Sequence, residues 1–160
     1  MLTQLRQVYR YWGAGDWSQQ FDFYDEEMEW GWSPEFPDIA GVYHDTETPN
    51  PRILTWLGPW ESWHCCAEDY VEFGDVTVVL TRYRGRGRGS GFQLDTEGAH
   101  VWKFRDGKAV RLEVFADRAA ALDSVCGEVA RVGRVAAVGR EPCRRPAGRP
   151  VALPASSERE

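Results

Sequence analysis

Arg82, Arg84, Arg86 and Arg88 occupy every second position of the stretch RYRGRGRGSG, with Tyr83, Gly85, Gly87 and Gly89 between them. A period of two is the period of a β-strand, whose successive side chains point to opposite faces. The segment that follows, QLDTEGAH (residues 93–100), offers Gln93, Asp95 and Glu97 at the same spacing. With Ser90 and Gly91 as a two-residue hairpin tip, Arg88 faces Gln93, Arg86 faces Asp95 and Arg84 faces Glu97. The arginines then share one face with acids and an amide, each cross-strand pair contributing about 0.2–1 kcal/mol. The other face carries Tyr83, Gly85, Gly87, Leu94, Thr96 and His100. Glycines on that face allow a sharp bend or the close approach of another element.

Arginine–glycine composition also suits RNA-binding segments, but the charge of the chain argues otherwise. Net charge is −6, and residues 1–126 hold 12 Lys and Arg against 21 Asp and Glu. An acidic domain repels the phosphate backbone, so no nucleic-acid partner is expected. With 42% hydrophobic residues and eight tryptophans in 160 residues, the chain has enough apolar surface for one folded core with room for an apolar cavity. The opening MLTQLRQVYRYWGAGDW lacks the apolar core and cleavage site of a signal peptide. No stretch is long and apolar enough to span a bilayer, so a cytoplasmic location is expected and no membrane partner. Cys65 and Cys66 adjoin and no Cys-x-x-Cys pair occurs. Reduced, structural thiols are expected, with no metal site and no cofactor.

Leu2, Leu5, Val8, Tyr9 and Trp12 form a helical stripe that ends at GAGD, residues 13–16. Asp16 then caps a short helix predicted over 17–24. Met28, Trp30 and Trp32 alternate as one face of a strand, and residues 34–41 read as loop. Pro51 suits the first turn of another helix, with Ile53, Leu54, Leu57 and Trp60 as candidates for its buried side. Strands follow near 65–73, 75–89, 92–105 and 109–116, with turns at Gly74-Asp75 and Asp106-Gly107. Asp117 caps a closing helix. The domain spans residues 1–126, and residues 127–160, rich in Pro, Arg and Ala without periodicity, read as a disordered tail.

The alternation of AHVWKF (residues 99–104) puts His100, Trp102 and Phe104 on one face, and the hairpin register places Tyr83 diagonal to His100. A histidine among aromatics on a concave sheet suits a general acid/base or a hydrogen-bond donor to a ligand. It equally suits a core residue satisfied by Tyr83 or a carbonyl. Trp12, Trp30, Trp32, Tyr43, Trp102 and Phe115 are candidate pocket lining.

The order of elements, with YRYWGAGDW (9–17), FYDEEMEW (23–30), RGRGRGSG (84–91) and AHVWKFRDGKAVRLEVFADRAAAL (99–122), resembles the SnoaL-like branch of the nuclear transport factor 2-like superfamily. That branch takes its name from polyketide cyclases and is related to ketosteroid isomerases. The resemblance implies an α+β cone: a curved antiparallel sheet wrapped by three N-terminal helices, with a short C-terminal helix. Where ketosteroid isomerases place a general base on the first strand, this chain has Trp32. Where they hold a protonated acid as oxyanion donor, it has His100, as SnoaL-like cyclases do. Those cyclases set an acidic group on the last strand where Val114 stands. Its neighbour Glu113 reaches the interior only if a bulge rotates it there. The paired aspartates and arginine of limonene epoxide hydrolases are not evident.

Two classes of function fit. One is an isomerase, cyclase or hydrolase without cofactor, acting on a small apolar or polycyclic substrate, with His100 as acid/base assisted by Tyr83 or Glu113. The other is a non-catalytic ligand-binding or dimerisation domain of the same fold. A homodimer through the outer sheet face is expected, because Val76, Val78 and Leu80 need cover there.

Overall fold

A computed structural model describes residues 1–19, 21–36, 38–44, 51–129 and 136–138. Helix α1 (Leu2–Gly13) buries Leu5, Val8, Tyr9 and Trp12, the stripe expected from their spacing. Each such side chain removed from water contributes about 1.5–3 kcal/mol. The helix stops where the sequence predicted, with Gly15 at φ +81°.

The next helix expected, over 17–24, is not present among the described residues. Asp16 instead takes the Ser18 N–H and hydroxyl and the Gln19 amide, an Asx-type turn that competes with helix. The Trp17 indole donates to the Trp63 carbonyl. The aromatic run after it, which favours strand, opens β1 (Tyr24–Trp32). Strand β2 (Gly41–His44) and helix α2 (Pro51–Leu57) lead into the long strands β3 (Trp60–Phe73), β4 (Val76–Gly87), β5 (Gln93–Arg105) and β6 (Lys108–Phe115). Asp117 caps α3 (Arg118–Val129), accepting the N–H groups of Ala119 and Ala120.

Among the described residues one sheet has the order β2-β1-β6-β5-β4-β3-β7, β7 being Ala136–Val138. Its pairs are antiparallel except β1 with β6, which run parallel. Register shifts in β3 at Trp60/Ser62 and Ala67/Asp69 and in β5 at Lys103/Phe104 mark irregularities that help a sheet curl. The fold is the expected α+β cone, with two helices rather than three before the long strands.

The β4–β5 hairpin corrects the expected register by two residues. Arg86 faces Gln93, Arg84 faces Asp95 and Arg82 faces Glu97. A two-residue turn of the usual hairpin type would put Ser90 at positive φ. The chain instead assigns positive φ to Gly89 and Gly91 in a longer loop. A shift of two keeps every side chain on its face, so the charge ladder survives. Arg82 binds Asp95 at 2.6 Å and Glu97 at 3.4 Å, Arg84 reaches Asp95 at 3.4 Å, and Arg86 reaches Glu61 at 3.1 Å. Arg88, now in the loop, donates to the carbonyls of Gly58 and Trp60.

The inner face of the sheet packs against α1 and α2, the outer face against α3. Val76 and Val78 are buried beneath Ala121 and Val125, and Leu80 packs beside them. Val76, Val78 and Leu80, the outer positions in need of cover, thus find some of it under α3 of the same chain. Three residues past the expected boundary at 126 continue α3, and Ala136–Val138 form β7 on the edge of β3, contrary to a wholly disordered tail. A three-residue strand is too short to show a period, and it caps an edge that would otherwise be open. The rest of that tail lies outside the described residues. Cys65 and Cys126 carry free thiols, whereas Cys66 is disulfide-bonded, against expectation.

Candidate functional site: an aromatic cavity in the cone

The narrow end of the cone is solid. Trp102 is completely buried, packed with Phe23, Tyr24 and Phe104 at 6.0–6.4 Å between ring centres. Toward the open end the packing stops short and leaves a cavity of about 190 Å3. Trp12 and Trp17, stacked at 4.9 Å, form one wall. Trp56, Trp60 and Trp63 form another, their rings 4.6–4.7 Å apart. Trp32, Leu112 and Val114 complete the enclosure from β1 and β6, and Tyr83 and His100 supply polar atoms. Trp56 and Trp60 also border a wider surface groove that includes Tyr43, Arg88 and Phe92.

The glycines of the opening stretch now have a purpose. A Cβ on Gly85 would lie 2.6 Å from Trp63 Cε3 and 2.9 Å from Trp60 Cε3. The two rings rest directly on the backbone of β4. Gly98 likewise seats Tyr83, whose Cε2 would meet a Cβ there at 2.6 Å. Gly85→Ala is therefore expected to cost ~1–3 kcal/mol, the range for an overpacked core, and to narrow the cavity. Urea unfolding checks the first effect, and an unchanged midpoint would show that the tryptophans have free room.

His100, only 3% exposed, is held at both nitrogens. Nδ1 lies 2.6 Å from the Tyr9 hydroxyl and Nε2 lies 2.7 Å from the Tyr83 hydroxyl. Tyr9 also accepts from the Trp102 indole N–H at 2.9 Å. Burial opposes the imidazolium and pushes the pKa of His100 down from 6.5 to about 3, so the ring is neutral at physiological pH. Burial likewise raises the pKa of both phenols well above the ordinary value. A neutral imidazole has one donor and one acceptor nitrogen. Here both are used by the protein.

Of the expected site residues, His100, Tyr83, Trp12 and Trp32 meet at the cavity. Trp30 and Trp102 lie in the filled core. Tyr43 stands on the outer groove, its hydroxyl donating to the Ala40 carbonyl. Two residues fall on the wrong face. Glu113 sits between Leu112 and Val114, both of which line the cavity, and so turns outward to bind Arg111 at 2.8 Å. No register shift occurs beside it to rotate it back. The same parity turns Phe115 outward, onto the cluster under α3. Tyr9, Trp17, Trp56, Trp60 and Trp63 were not singled out for the site. Tyr9 carried one signal, its place on the buried stripe of α1.

A curled sheet whose inner face packs against helices around an aromatic cavity is the nuclear transport factor 2-like class of cone. The structure is similar to a nuclear transport factor 2-like protein of unknown function from Burkholderia pseudomallei (18% identity, 78% of this chain and 94% of that one, TM-score 0.63). It is also similar to a putative SnoaL-like polyketide cyclase from Jannaschia sp. (16%, 78% and 90%, TM-score 0.60). A third likeness is to a hypothetical protein with a ketosteroid isomerase-like fold from Catenulispora acidiphila, solved in complex with trimethylamine (11%, 76% and 88%, TM-score 0.55). The SnoaL-like domain model matches residues 5–112, and the chain belongs to that family. No curated protein matches it significantly.

Proposed function

We propose that the chain binds one small, largely apolar molecule in the open half of its cone. The observation that carries this reading is the cavity: about 190 Å3 lined by six tryptophans among other apolar side chains, with Tyr83 and His100 as convergent polar groups. Left empty and apolar, a space of that volume costs on the order of 4 kcal/mol, a large share of the stability of a typical domain. An engineered cavity of about 150 Å3 admits benzene. This one suits a single ring with a short substituent, and anything longer must run out past Trp56 and Trp60 into the groove. Membership of the SnoaL-like family supports a pocket for a small molecule.

The acid/base reading of His100 has less support, because neither of its nitrogens is free for a substrate. Single-ring compounds at about one hundred times their dissociation constant are expected to raise the melting temperature by roughly 5–10 °C. Val114→Phe, which fills the cavity, is expected to abolish that shift. No shift from any single-ring compound at saturating concentration would overturn the proposal.

A further inference from the structure

We infer that the cavity selects a ligand bearing a hydrogen-bond acceptor, and that Tyr83 donates to it at the end of a one-way chain of hydrogen bonds. This rests on the binding function proposed above. The direction of the chain follows from counting protons. The Trp102 indole can only donate, so Tyr9 accepts from it. Tyr9 is buried and its remaining partner is His100 Nδ1, so the Tyr9 hydrogen goes to Nδ1. Nδ1 is then the acceptor nitrogen of a neutral ring. The ring proton sits on Nε2 and is donated to the Tyr83 oxygen, 2.7 Å away. Tyr83 keeps its own hydrogen for another acceptor.

Among the described residues none supplies a good one. The Thr81 hydroxyl beside the phenol eases its ionisation, as a hydrogen bond donated to the Tyr83 oxygen does, and so leaves the Tyr83 hydrogen untaken. Tyr83 borders the cavity, and the open acceptor position lies there. Donors aligned in one sense polarise each other, so the Tyr83 hydroxyl is a strengthened donor. It suits a carbonyl, or an oxygen that gains negative charge. A cationic ligand suits the site less. Glu97, the carboxylate bordering the cavity, already pairs with Arg82 and Arg118, each at 3.4 Å. His100 acts here as a positioning residue.

The test is calorimetry on the full chain with three probes of similar size: acetophenone, ethylbenzene and phenyltrimethylammonium. The wild type is expected to bind acetophenone ~10-fold more tightly than ethylbenzene, the effect of one retained hydrogen bond. Tyr83→Phe is expected to erase that preference, bringing the ratio of the two affinities to about one. Infrared spectroscopy of acetophenone bound to the wild type needs no variant, and its carbonyl stretch is expected to move to lower frequency than in hexane. Equal affinity for acetophenone and ethylbenzene, a preference that survives Tyr83→Phe, an unshifted carbonyl, or tightest binding of the ammonium would each overturn the inference while leaving the binding function standing. Failure of all three probes to bind would remove the binding function and the inference with it.

Discussion

Tyr9→Phe is expected to lower the unfolding free energy by about 2–6 kcal/mol. The change removes one oxygen and strands two buried groups. The indole N–H of Trp102, which is fully buried, loses its acceptor, and His100 Nδ1 loses its donor. Each unsatisfied buried polar group costs about 1–3 kcal/mol. The ring itself still fits, so the cost is that of the lost hydroxyl rather than of lost packing. Tyr83→Phe is expected to cost less. It leaves one group, His100 Nε2–H, without a partner, and that group faces a cavity large enough to hold water. Urea unfolding of both variants measures the difference. A loss under about 1 kcal/mol for Tyr9→Phe would mean that water or a rearranged ring replaces the hydroxyl.

The second large effect is a dependence on pH. In the unfolded chain a histidine takes up a proton near 6.5. Folded His100 does so only at about 3, because burial removes the water that would solvate the imidazolium. Between these values the unfolded chain binds the extra proton and the folded chain does not, so acidification favours unfolding. The native state should lose about 2 kcal/mol between pH 7 and pH 5 from this residue alone, at 1.36 kcal/mol per unit once the unfolded histidine is fully protonated. His100→Gln is less stable at neutral pH but lacks this component, so its stability should fall less over the same interval. A variant that tracks the wild type in parallel from pH 7 to 5 would show that His100 does not differ between the two states.

The part of the fold written in local alternation was legible in the sequence. Residues 76–115 form the strands their period of two demands, and the inner placement of Tyr83 and His100 follows from parity. That placement survived a register error at Ser90-Gly91, because the slip was by two and changed no face. Parity applied without exception would also have turned Phe115 outward with Glu113. What local pattern cannot carry is contact across the chain. Tyr9 and His100 are 91 residues apart in sequence. Nothing in the stripe of α1 marks its tyrosine as the partner of a particular histidine. The run from Trp17 to Tyr24 does not take the expected helix because the turn at Asp16 and the Trp17–Trp63 bond decide its course. The wall of Trp56, Trp60 and Trp63 depends on how closely α2 and β3 approach Gly85. The glycine hinted at such an approach without naming what makes it.

Imidazole nitrogen NMR on the uniformly 15N-labelled full chain shows whether His100 is a neutral ring that holds Tyr83 toward the cavity. At pH 7 the His100 ring is expected to show one protonated nitrogen, Nε2, and one bare nitrogen, Nδ1. That pattern should persist unchanged to pH 5, well above its pKa of about 3. A proton on Nδ1 in the neutral ring, or a ring that titrates near 6.5, would contradict the account.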